Sequence, residues 1–263
     1  PMSGIIELTL GHSPDPDDAF MFYALAKDKI DTGPYRCTHV MEDIQTLNER
    51  ATRGELDITA ISIHAYAYVL DKYALLPAGA SMGFGYGPMV IAKEKIAPED
   101  LKGMTIAIPG KMTSAYLELQ LAIGEFNAVH VPFDEIIDRV VSGEFPAGLI
   151  IHEGQLTYQD AGLKECINLG KWWWETTGRK DWPLPLGGNT IHKRHGDKMK
   201  DISDILTASI QYSLDNREAA LAYALDWARN MGVELADEFV AMYVNHWTLD
   251  YGQAGRDSIT ELL

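Results

Sequence analysis

Apolar and polar positions along the chain switch between two periods. "GIIELTL", residues 4–10, combines β-branched residues with partial alternation, which predicts a strand. After an acidic turn, "AFMFYALAK", residues 19–27, sets Phe20, Tyr23, Ala24 and Lys27 at helical spacings. The exchange then continues. "YRCTHVME", "LDITAISI", "PMVIAK", "MTIAIPG", "AVHVPF" and "AGLIIH" predict strands, while "DIQTLNERATRG", "SAYLELQLAIGEF" and "DEIIDRVVSG" predict helices. Such alternation indicates an α/β protein with mainly parallel sheets. From about residue 196 the strand signals stop. "MKDISDILTASIQYSL", "REAALAYALDWARN" and "ADEFVAMYVNHW" are helical by periodicity.

Two stretches echo each other. Residues 51–64, "ATRGELDITAISIH", and 140–152, "VVSGEFPAGLIIH", both run from a helix end through Gly-Glu to an apolar strand and a His. A glycine suits the helix end because it tolerates positive φ. The echo fits two similar α/β lobes better than one sheet. Candidate crossings between them are "GPMVIAKEKI" (87–96) and "PLPLGGNTIHK" (183–193). The expected lobes are therefore 1–90 with 190–263, where the helical tail returns, and 91–189. A ligand cleft lies between them.

Composition narrows the function. The 263 residues are 46% hydrophobic and carry a formal charge of −16. That balance argues against nucleic acid and anionic membrane surfaces as partners, since both need a basic patch. No apolar run reaches the roughly 20 residues of a membrane span. Met2 reads as the native start after Pro1, and "SGIIELTLGHSPD" lacks a basic segment and a long apolar one. The expected location is the cytoplasm. Cys37 and Cys166 have no metal-ligand spacing and read as reduced structural thiols.

Chemistry is suggested first at "GHSPDPDD", between the first strand and the first helix. In open α/β sheets, ligands bind at the carboxyl ends of strands, where helix N-termini point. Pro14 and Pro16 fix φ, and Ser13, Asp15, Asp17 and Asp18 offer oxygens that cap the helix. The turn lacks the glycines of a phosphate loop. "PGKMTSAY" places Thr113 and Ser114 at a helix N-terminus, either as caps or as a grip on an anion. His152 ends an apolar strand, where an imidazole facing a cleft can act as a general base. His64 is an alternative acid or base. His192 and His195 read as parts of a solvated loop, and Trp172-Trp173-Trp174 either packs between lobes or stacks a ligand ring.

The turn "SPDPDDAFMFYAL" resembles the N-terminal signature of the 1,4-dihydroxy-6-naphthoate synthase family of menaquinone biosynthesis (the futalosine route). The similarity continues in family order through "EDIQTLNERATRGELDITAIS", "GFGYGPMVIAK", "IAIPGKMTSAYLEL", "AGLIIHEGQLTY", "LGKWWWETTG" and "PLPLGGN". It implies a two-lobe, periplasmic-binding-protein-like (type II) α/β fold with a central cleft. It also implies a cofactor-free, metal-free carbon–carbon lyase that converts cyclic dehypoxanthinyl futalosine to the dihydroxynaphthoate. The partner is thus a small-molecule carboxylate substrate; the oligomeric state stays open, a homodimer included.

The resemblance makes His152 the proton acceptor and gives Thr113, Ser114 and Ser62 substrate contacts. Ala60 and Ile61 contribute backbone beside Ser62, and Ser13 and Asp18 line the cleft. The chain departs from the family pattern in three places. Asp15 and Asp17 stand where the turn commonly has Cys and Asn, and Ala60 stands where a Lys is frequent. These changes weaken attraction to a substrate carboxylate, with Lys93 or Lys111 as compensating cations. The alternative reading is a non-catalytic solute-binding protein of the same fold, which fold alone would equally serve. A third, a sister chorismate-dehydrating enzyme, is disfavoured by the double-proline turn and "IIHE".

Overall fold

Two sheets built on one plan account for the alternation of elements. The computed structural model describes residues 4–228 and 231–263. The start read at Met2 and the end of the helix read to residue 230 lie outside them. In the first sheet, β1 (Ile6–His12) pairs in parallel with β2 (Tyr35–Met41) and β3 (Ile58–Ser62). β4 (Tyr73–Leu75) and β5 (Ser81–Gly83) complete it together with a strand from much later in the chain. The second sheet contains β6 (Met89–Ala92), β7 (Thr105–Ile108), β8 (Asn127–His130), β9 (Ala147–Ile150) and β10 (Lys164–Asn168). The chain then returns to the first sheet as β11 (Leu184–His192).

Strand order runs β2-β1-β3-β11-β4 in one sheet and β8-β7-β9-β6-β10 in the other. The echoed segments are β3 and β9, which hold the same place in each order. Both glycines before them adopt positive φ, 64° at Gly54 and 83° at Gly143. The crossings are β6 and β11, and each enters its new sheet antiparallel to the echoed strand. Mainly parallel sheets were expected. Among the described strands, however, the crossings and the strands that pair with them (β4, β5 and β10) are antiparallel. A strand arriving from the opposite sheet comes in reversed, and its partners turn back on it.

The first helix, Pro16–Ala26, begins three residues before the apolar run that predicted it. Pro16 occupies its first turn, where the missing amide costs nothing and the fixed φ already suits a helix. Phe20, Met21 and Phe22 are fully buried against Leu206, Ile210, Phe239 and Val240 of the C-terminal helices Met199–Asp215 and Val233–Tyr243. The tail therefore packs on the first sheet. Ser209 Oγ donates to Met21 O at 2.7 Å, satisfying a helical hydroxyl inside that core. Separate clusters around Ile106, Ile108 and Leu149, and around Ile91, Ile136 and Ile150, serve the second sheet. Among the described residues, no helix is long and apolar enough to cross a membrane.

Gly143 has only the flexible Lys93 Nζ within 4 Å of where a Cβ would stand, so a substitution there probes backbone strain alone. Gly143→Ala should destabilise the protein by about 1 to 2 kcal/mol. Urea unfolding checks this, and an unchanged midpoint would show that the left-handed turn does not matter.

Candidate active site

The carboxyl ends of β1, β3 and β9 converge on the gap between the sheets, and a cleft of about 710 Å³, its mouth included, opens there. That size suits a small-molecule ligand. Its wall includes Ser13, Asp18, Ala60, Ile61, Ser62, Thr113, Ser114 and His152, all eight candidates from the sequence. Asp17, Gln155, Asn189, Phe239 and Tyr243 also line it.

The proline turn is built differently from a simple cap. Asp15 is the N-cap residue, but its side chain accepts no helical amide. Its Oδ2 instead accepts the Ser13 hydroxyl. Asp18, at the third helical position, reaches back and accepts the Ser13 amide at 2.8 Å. Asp17 is buried, with Oδ1 lacking a partner. Burial pushes its carboxyl well above the usual range, and Asp18 and Asp15 add to the rise. Asp18 shows part of its surface to the cleft, yet the protein around it pushes its carboxyl up to about 7. Burial is the main cause; the Ser13 amide opposes it and Asp15 reinforces it. Near neutrality this wall therefore carries less negative charge than three aspartates suggest.

His152 lies just past β9, and its φ is 56°. Among the described residues outside glycine, only it and Asp28 have positive φ. This backbone is costly by about 1 to 3 kcal/mol and marks functional sites. Its ring meets Phe133 edge-on at 4.8 Å between centroids. Nε2 stands 3.2 Å from Asp15 Oδ2 across the gap.

Beside His152, after β7 of the same sheet, the helix Ser114–Ile123 points its N-terminus at the cleft. Thr113 Oγ1 caps it by accepting Tyr116 N, and donates to Gly110 O. The amides of Ser114 and Ala115 precede the first intrahelical bond and so have no acceptor within the helix. Ser62 is fixed by Asn48, which donates Nδ2 to Ser62 Oγ and accepts Ser62 N, both at 2.9 Å. The Ser62 hydroxyl proton is left for another acceptor.

Several hydrogen bonds cross from one sheet to the other and hold the gap closed. Met112 N donates to Gln45 Oε1 at 3.1 Å, and His64 Nδ1 meets Thr113 O at 3.1 Å. His64 N donates to Ser114 Oγ, which in turn donates to Leu186 O at 2.5 Å. Tyr243 Oη donates to Gln155 Oε1 at 2.6 Å. Gln155 and Tyr243 went unread in the sequence. Gln155 was legible in principle, one helical turn beyond His152. Tyr243 was not, because only tertiary packing carries a helix at the far end of the chain to this wall.

Other candidates lie elsewhere. His64 is buried beside Thr113, and burial lowers its pKa, so it positions a wall loop and does not line the cleft. Trp173 Nε1 donates to Ser258 Oγ and Trp174 Nε1 to Trp182 O. Trp174 also meets Phe84 edge-on, so the run is packing and stacks no cleft ligand. His195 Nε2 lies 2.7 Å from Asp57 and His192 caps the following turn, so neither is merely solvated. Lys93 and Lys111 are exposed and absent from the wall. Cys37 and Cys166 are free thiols.

The fold and cleft define a two-lobed α/β protein of the periplasmic-binding-protein-like class. A Candida albicans protein described as having that generic fold superposes with a TM-score of 0.68 at 13% identity, over 98% of this chain and 90% of its own. A crystal structure from Archaeoglobus fulgidus gives 0.92 at 43% identity, over 97% and 95%. The chain belongs to the menaquinone biosynthesis family, whose match spans residues 8–263. Two relatives named 1,4-dihydroxy-6-naphthoate synthase share 38% identity (Thermus thermophilus) and 37% (Streptomyces coelicolor). Each alignment covers 97% of this chain, and 92% and 91% of theirs.

Because its carboxyl is higher in the folded protein, Asp18 keeps a proton that the unfolded chain releases. Its contribution to stability is therefore fully favourable below about pH 4, falls as pH rises to about 7, and is flat above. Asp18→Asn should remove that slope. The melting temperature of the variant minus that of wild type should climb across this window; a constant offset would contradict the assignment.

Proposed function

We propose that the chain is a carbon–carbon lyase that converts cyclic dehypoxanthinyl futalosine to 1,4-dihydroxy-6-naphthoate, with His152 as general base. One observation carries the reading. A strained strand-end imidazole, a helix N-terminus and a carboxyl tuned near neutrality face one closed cleft. The family and the two named relatives support the substrate class.

Among the described residues, the wall offers no lysine or arginine for the substrate carboxylate. The amides of Ser114 and Ala115 take that place, aided by the positive end of their helix dipole. Ser62 adds a hydroxyl. His152 removes a proton from a substrate hydroxyl, the adjacent carbon–carbon bond breaks in a retro-aldol sense, and the electron pair moves into the neighbouring acceptor group. Asp18, poised near neutrality, returns a proton before aromatisation. The lobes expected at 1–90 with 190–263, and at 91–189, close to exclude water.

Incubating the protein with cyclic dehypoxanthinyl futalosine should produce the ultraviolet absorption of the naphthoate. His152→Asn should fold and lose about 10²- to 10⁴-fold in turnover. Near-normal turnover in that variant would remove His152 from the chemistry. If wild type binds a small solute tightly and forms no product, it is a solute-binding protein instead.

A further inference from the structure

We propose that Asp15 is a positioning residue that sets the tautomer of His152, so that Nδ1 rather than Nε2 is the basic nitrogen. The inference rests on the reading of His152 as the base. Asp15 comes from the turn after β1 in the first sheet, and His152 follows β9 in the second. The carboxylate is fully buried, and Nε2, itself without accessible surface, lies 3.2 Å from Oδ2. That approach is close but not yet aligned as a hydrogen bond, a geometry that commonly tightens when substrate is bound.

The surroundings leave the ring few choices. Phe133 meets it edge-on, and the left-handed backbone at residue 152 fixes where the side chain departs. Asp15 Oδ2 is held toward it by the Ser13 hydroxyl. A neutral imidazole carries one N–H and one lone pair. A carboxylate can only accept, so the N–H belongs on Nε2 and the lone pair falls on Nδ1. The side chain keeps 17% of its surface accessible, and Nε2 supplies none of it. The opposite tautomer would turn a second lone pair toward a carboxylate and offer the substrate a donor where an acceptor is needed.

The pair also spans the gap. The carboxylate and imidazole sit on separate sheets, so the base acquires its correct tautomer only when the cleft is closed. Closure would then exclude water and arm the base in one step.

Two substitutions separate this from a structural role. Asn at position 15 can donate to Nε2 and impose the wrong tautomer, whereas Ala imposes none. Asp15→Asn should therefore lower kcat by about 10²- to 10⁴-fold with KM within about threefold, and Asp15→Ala should lose less than Asp15→Asn. A packing role would reverse that order, since Ala leaves the larger void, and the reversed order would overturn the proposal. A ¹⁵N spectrum of histidine-labelled protein reads the tautomer without turnover. His152 should be protonated at Nε2 in wild type and shift toward Nδ1–H in Asp15→Asn. Nδ1–H in wild type would overturn the proposal even in an active enzyme. The expected tautomer in a protein that makes no product would instead leave the contact standing and defeat the functional reading.

Discussion

Hydrogen bonds that run across the cleft, from one sheet to the other, are the constraint on which the site depends. Gln45 to Met112, His64 to Thr113, Ser114 to Leu186 and Tyr243 to Gln155 each join a residue of one wall to a residue of the other. Without them the wall of the second sheet, which carries both the helix N-terminus at Ser114 and the imidazole of His152, would be a surface separate from the first-sheet wall of Ser62 and Asp18. With them, both walls face one enclosed volume. Opening the cleft would hand these groups to water, so each bond favours the closed arrangement by its net worth of roughly 0.5 to 1.5 kcal/mol.

The chemistry of the walls follows from what burial does to charge. A chain with a formal charge of −16 and three aspartates in one turn would seem a poor host for a carboxylate. Burial changes that by pushing the carboxyls of Asp17 and Asp18 upward, toward their neutral forms. Coulomb repulsion falls accordingly, and amide donors at the helix start can hold an anion without lysine or arginine. The expectation that Lys93 or Lys111 would compensate was reasonable from charge counting, but placement decided against it.

Much of this was legible because local signals agreed with the tertiary result. Gly54 and Gly143 announced equivalent helix ends, and those ends introduced equivalent strands in two sheets of the same order. Thr113 and Ser114 read as a helix start and are one. What escaped notice depends on distant segments meeting. The antiparallel entry of β6 and β11 follows from the chain changing sheets, which no period of hydrophobic residues encodes. The Asp15 side chain looked like a helix cap, since its residue type favours that role. It turns instead to the Ser13 hydroxyl and toward His152, which arrives from the other sheet. The tryptophan run could equally have faced a ligand, and hydrogen bonds to Ser258 and Trp182 settle its place in the packing.

The most direct measurement is a crystal structure of the protein with 1,4-dihydroxy-6-naphthoate bound. The account predicts the carboxylate on the amides of Ser114 and Ala115, the bicyclic ring in the cleft between the sheets, and a ring hydroxyl within reach of the His152 imidazole. A naphthoate bound outside the cleft, or inside it with its carboxylate turned away from that helix and the hydroxyls beyond His152, would contradict it.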